Sequence, residues 1–161
     1  MNYDFKHDDI FLIADDFYEA YIRCGEMKNP HYDEYKRYTG SVVSIPEIVN
    51  GAFALELYLK GMAAKKVKNT KRFKHSISAI FKAIDLEEQK KLREVIEPQI
   101  NNWCSSFDEA VQRINNSFEY WRYIHEKSNL GFGLNNTLNV LSVFLETVKK
   151  HIKRTNEKAS Q

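Results

Sequence analysis

The stretch SIPEIVNGAFALELYLKGM, residues 44–62, opens with a serine, places Pro46 in its first turn and returns a glutamate, Glu47, three residues after the serine. A serine hydroxyl accepts from the N–H three residues on while the glutamate reaches back to the serine N–H. Proline is tolerated in a first turn because its missing N–H would have had no helical partner. The segment therefore starts as a capping-box helix with Ser44 as N-cap. Ile48, Ala52, Leu55, Leu59 and Met62 then recur at intervals of four, three, four and three, which lays one apolar stripe against a core. The pattern predicts a helix running to about Lys66, and the rest of the chain reads as its packing partners.

On the N-terminal side, Phe11, Ala14, Phe17, Tyr18, Tyr21 and Ile22 recur at helical spacing opposite Asp15, Asp16 and Glu19, predicting an amphipathic helix from Asp8 to about Lys28. A polar, tyrosine-rich connection, NPHYDEYKRYTGSV, leads to Ser44. On the C-terminal side, Ser76 to Ile84 reads as a short helix and Leu86 to about Asn101 as another, which Pro98 must end or kink. Ser106 with Glu109 makes a second capping box, followed by Phe107, Val111, Ile114, Phe118 and Trp121 at four, three, four and three. SFEYWRYIHEK, residues 117–127, is then the C-terminal half of that helix. Two glycines in SNLGFGLNN break it. Leu134, Leu138, Leu141, Leu145, Val148 and Ile152 mark a long last helix, with a basic tail over about 149–161 expected to fray in part. Several amphipathic helices without strands bury their stripes only against one another. The expectation is an all-α single domain over residues 1–161, a four-helix up-and-down bundle with one or two additional short helices.

Composition narrows the function classes. Three prolines and six glycines in 161 residues leave little material for a turn-rich β architecture. Cys24 and Cys104 stand far apart with no CxxC or Cys/His spacing, so neither a zinc site nor a disulfide framework is signalled, and isolated thiols suit a reducing cytoplasm. Acids flank the short apolar run of MNYDFKHDDIFLIADD, which is wrong for a signal peptide, and no run approaches the ~18 apolar residues of a membrane span. A cytoplasmic protein without membrane association is expected. P-loop, GxGxxG, HExxH and GxSxG motifs are missing from the sequence, as are metal-ligand spacings, so no cofactor and no metal are expected.

Charge is unevenly placed. Residues 1–34 carry nine Asp/Glu against three Lys/Arg, so the rest of the +2 chain is net +8. From Leu57 to Ile84 there are Lys60, Lys65, Lys66, Lys68, Lys71, Arg72, Lys74 and Lys82 and no acid. Such a segment either faces phosphates or is a solvated interhelical loop whose lysines serve solubility. His75, in KRFKHS, is either part of that surface or a hydrogen-bonded group near the start of the short helix. Nine tyrosines and the other aromatics offer stacking platforms for RNA, or core.

AFALELYLKGM, KHSISAIF and FEYWRYIHE, in that order and spacing, resemble helical proteins of the HEPN superfamily over most of the chain from about Ile45 onward. The resemblance implies a four-helix bundle, usually a homodimer, working beside nucleotidyltransferase-type partner proteins in toxin–antitoxin or phage-defence systems and often acting on or binding RNA. It also implies, for catalytic members, metal-independent RNA cleavage by an Arg followed, after four to six residues, by a His. Here only two residues separate Arg122 from His125, so the usual motif is not met.

Residues three apart share a helix face, so Arg122 and His125, with Glu126, still form a candidate catalytic set: a base for the 2′-hydroxyl and a cation for the phosphorane. The alternative for Arg122 is a structural polar network with Glu56 and Lys60, which sit at i, i+4 beside the stripe of the second helix. The leading expectation is a HEPN-like protein that binds RNA through Lys65, Lys66, Lys68, Lys71, Arg72, Lys74 and His75, or binds a partner protein. A metal-independent endoribonuclease and a purely structural interaction bundle are the alternatives.

Overall fold

A computed structural model describes residues 7–26, 31–32, 38–40, 44–115, 117–122 and 134–159. Its elements are α1 (His7–Glu26), β1 (His31–Tyr32), β2 (Tyr38–Gly40), α2 (Ser44–Ala64), α3 (Ile77–Ala83), α4 (Leu86–Ile100), α5 (Phe107–Ile114), α6 (Ser117–Arg122) and α7 (Leu134–Ala159). The fold is helical. Its other regular structure among the described residues is one antiparallel strand pair in the tyrosine-rich connection, with His31 opposite Gly40 and Tyr32 opposite Tyr38. No described helix is long and apolar enough to cross a membrane.

α2 is the axis, packing against α1, α3, α6 and α7. Its predicted stripe is buried, and so are Ala54, Glu56, Tyr58 and Ala63 on its other sides. A helix apolar nearly all round must be enclosed on several faces, and that enclosure defines the core. α1 runs antiparallel to α2: Phe11 lies against Gly61, Asp15 binds Tyr58 and Tyr21 lies against Gly51. The glycines permit the approach, because a Cβ on Gly61 would stand 2.6 Å from the Phe11 ring and one on Gly51 2.7 Å from Tyr21. α7 runs along α2 in the same direction, with Leu141 near Gly51 and Lys149 near Tyr58. It runs against α1, through Tyr18–Glu146 and Asp15–Lys149. Phe81, Phe107 and Phe144 join α3, α5 and α7 at centroid spacings of 5.2 and 5.3 Å.

Three boundaries differ from the sequence reading. The helix expected to run unbroken from Phe107 to the WRYIHE stretch is divided between α5 and α6, because Asn115 leaves the helix with an extended backbone. Its side-chain oxygen accepts from Ser76 Oγ (3.2 Å) and Ser78 N–H (3.0 Å) at the start of α3. Asparagine competes with helical backbone bonding through such contacts, and here a tertiary acceptor role takes it. The stripe stays in phase across the break: Phe107, Val111, Ile114 and Trp121 are all buried. α2 ends at Ala64, two residues short of the expected Lys66, whereas α4 runs from Leu86 to the fully buried Ile100 as its pattern requires, with Pro98 inside it. α7 extends through the basic tail to Ala159.

Candidate nucleic-acid interface

The lysine-rich segment leaves α2 at Ala64, where Lys66 and Val67 N–H both donate to Ala63 C=O, closing the helix two residues before the expected end. Asn69 then caps a single 3₁₀ turn, Thr70–Phe73, its side-chain oxygen accepting from Lys71 N–H at 3.1 Å. Phe73 packs against the core. Lys74 follows with φ of 48° and ψ of −119°, a non-glycine residue on the positive-φ side, and its N–H donates to Lys71 C=O. Ser76 closes the segment as N-cap of α3, accepting from Ala79 N–H at 3.3 Å. Asn cap, half-buried Phe73 and Ser cap thus pin the segment at three points, so its cations project from a defined backbone rather than a loose loop.

Lys65, Lys66, Lys68, Lys71, Arg72 and Lys74 are exposed. Lys66 is bridged to Asp85, the N-cap of α4, and this ammonium, with the Glu87 N–H, holds the Asp85 carboxyl below the usual carboxylate range. The Arg72 guanidinium lies 4.8 Å from the Phe73 ring centre. Among the described residues no carboxylate stands within ion-pair distance of Lys65, Lys68, Lys71, Arg72 or Lys74.

Beneath the segment is a buried carboxylate. Glu56 is 1% exposed, Lys60 Nζ is 2.7 Å from its Oε1, and His75 Nδ1 is 2.9 Å from Oε2 and 3.2 Å from Oε1. With Nδ1 facing a carboxylate, that nitrogen carries the proton and donates, leaving Nε2 on the ring edge of a side chain 37% exposed. The His75 ring is 5.0 Å from Phe118 of α6, which stacks on Phe53 of α2 at 4.4 Å, and Phe53 meets Phe17 of α1 edge-on at 4.5 Å. His75 is therefore both a residue of the basic segment and the tie that fastens the segment to α2 and α6.

Of the expected network, the structure brings Glu56 and Lys60 together and adds His75, nineteen residues from Glu56, as a second partner. Arg122 is the last residue of α6, and its side chain lies outside the described residues. His125 and Glu126 also lie outside them, so the candidate catalytic set of Arg122, His125 and Glu126 is not placed. Among the described residues no group of three or more His, Cys, Asp or Glu is positioned to hold a metal ion. The sequence reading missed Asp85 as the counter-ion of Lys66 and Asn115 as the anchor of α3. The pair Asn115–Asn116 in mid-pattern was the available signal, since asparagine is a weak interior helix former. Comparison with protein-family models, with curated proteins and with solved structures finds no match to this chain.

Proposed function

We propose that this protein binds RNA through the segment from Lys65 to His75. On this reading it is a HEPN-like four-helix up-and-down bundle in which α5 and α6 together form the third helix, acting as a homodimer in a toxin–antitoxin or defence setting. The pair directions support the arrangement: α1 antiparallel to α2 and to α7, and α2 parallel to α7, as diagonal helices of such a bundle run. One observation carries the RNA reading. Five exposed cations, Lys65, Lys68, Lys71, Arg72 and Lys74, stand with no described carboxylate in reach on a backbone fixed by caps and a half-buried phenylalanine packed on the core. Solubilising lysines need no such fixed presentation, whereas phosphate binding gains from cations that are already in place. Cleavage by Arg122, His125 and Glu126 is not part of this reading, because the gap between Arg122 and His125 is shorter than the family's spacing.

The test is fluorescence anisotropy with a short single-stranded RNA across a salt series. Affinity is expected to fall steeply with salt. Replacing Lys65, Lys68, Lys71, Arg72 and Lys74 by Gln together is expected to lower the slope of log K against log salt by about 3.5, the value for five phosphate contacts on a single strand. Salt-independent binding, or none, sinks the proposal.

A further inference from the structure

α3, α4 and α5 enclose a groove of about 660 Å³, within the size range that ligand pockets of proteins take. Its floor is apolar: the buried Phe81 and Phe107 line it, and Leu86, also lining it, is 75% exposed. Its rim is cationic. Lys82, Lys90 and Arg93 line it against a single acid, Asp108. Arg93 is held in place, its guanidinium 4.5 Å from the Phe107 ring centre and its Nη2 2.9 Å from Asp108 Oδ1. Gln89 fixes the lip by donating its amide to Ile84 C=O at 2.7 Å and Lys82 C=O at 3.3 Å.

The groove also adjoins the lysine-rich segment. Lys66 bridges Asp85, and Asp85 immediately precedes Leu86, so the exposed surface of the segment meets the groove lip at the Lys66–Asp85 pair, beside the acidic first turn of α4. We infer that the groove is a nucleotide subsite of that surface: Lys82, Lys90 and Arg93 take a backbone phosphate, and the attached base lies on Leu86 and Phe81. An arriving phosphate replaces Asp108 as the partner of Arg93, a charge-assisted exchange at a solvent-exposed carboxylate. Of the two lining amides Gln89 is engaged with the backbone, so base readout here rests on shape, stacking and the exposed Gln112 amide at the rim. This inference rests on the RNA reading and adds to it a second contact area, reached by a strand that has already bound the segment.

Two variants separate the phosphate and base contributions while leaving the segment intact. Lys82→Gln with Lys90→Gln is expected to reduce the salt slope by about 1.4, for two phosphate contacts on a single strand. Leu86→Ser is expected to raise Kd by about tenfold at constant slope, and to have no effect on an abasic strand carrying the same phosphates. Circular dichroism melting monitors the fold of each variant, and the altered side chains are all exposed. Unchanged Kd and slope in both variants, with binding still abolished by the five-residue segment variant, overturns the subsite and leaves the RNA reading standing. Loss of binding to an acidic amphipathic helical peptide, with RNA binding untouched, makes the groove a protein site and equally overturns it. Failure of the unaltered protein to bind RNA removes both proposals.

Discussion

Two carboxylates beside α2, its own Glu56 and Asp15 of α1, each have two partners and differ in burial. Glu56 has Lys60 and His75 and is 1% exposed. Asp15 has Tyr58 and Lys149, the latter at 2.8 Å, and its side chain is 51% exposed. The first fastens the lysine-rich segment to the central helix, and the second clips α1, α2 and α7 together. Water substitutes for a lost partner at Asp15, but it cannot enter freely at Glu56. The same count of contacts therefore carries different weight: partners of a buried charge are obligatory, and partners of an exposed one are replaceable.

The comparison breaks most visibly if the buried site is emptied. Glu56→Ala leaves Lys60, 16% exposed, and His75 Nδ1 facing an apolar void, and is expected to destabilise the fold by about 3–5 kcal/mol in urea denaturation. It is also expected to weaken RNA binding, because the segment loses its anchor while keeping every exposed cation. A cost under ~1 kcal/mol would mean that Glu56 is hydrated and that the contrast with Asp15 is false.

Tyr58 sharpens the comparison from the other side. Its ring is 1% exposed in the core and its hydroxyl donates to Asp15, while burial, then that carboxylate, pushes its titration far up. Tyr58→Phe keeps the packing and removes the hydroxyl. Asp15 retains Lys149 and gains water, so the expected loss is about 1 kcal/mol, measurable as a lower urea midpoint with an unchanged m-value. A loss as large as that of Glu56→Ala would place Asp15 in a drier environment than its exposure indicates.

What was legible in the sequence was local. Ser106 accepts from Glu109 N–H at 3.2 Å, and the stripes of α2 and α5 are buried as their periods require, as are Leu138, Leu141, Leu145 and Val148 of α7. Even here the detail shifts, since the Glu109 carboxylate reaches back to Ser105 N–H (2.8 Å) rather than to Ser106. Glu56 with Lys60 was visible because i, i+4 neighbours share a face. His75 as partner of Glu56, Asn115 as acceptor for α3, and Glu88 joined to His151 across α4 and α7 were not visible. Each spans nineteen residues or more and is set by how helices dock, which periodicity does not encode. The groove was hidden for the same reason, since its walls come from three separate helices.

The smallest effect is the most discriminating about Asp15. Burial pushes its carboxyl up, yet hydrogen bonds from Lys149 and Tyr58 together with the Lys149 charge outweigh it and hold the carboxyl below its ordinary value. A depressed carboxylate adds stability that is present above the unfolded-state pKa, about 3.9, and is lost as pH falls through the lower folded-state value. Lys149→Met removes the cation and keeps the aliphatic length that lies over the Tyr18 ring, whose centre is 3.7 Å from Nζ. At neutral pH the cost is expected to stay below about 1 kcal/mol, because both partners are solvent-screened. As pH falls from about 4 through that lower folded-state value, wild type and variant should converge, since the advantage of the ionised Asp15 is progressively lost. Thermal melts from pH 7 to pH 2.5 test this: a gap that widens on acidification would show that Lys149 acts through packing over Tyr18, and not through the carboxylate.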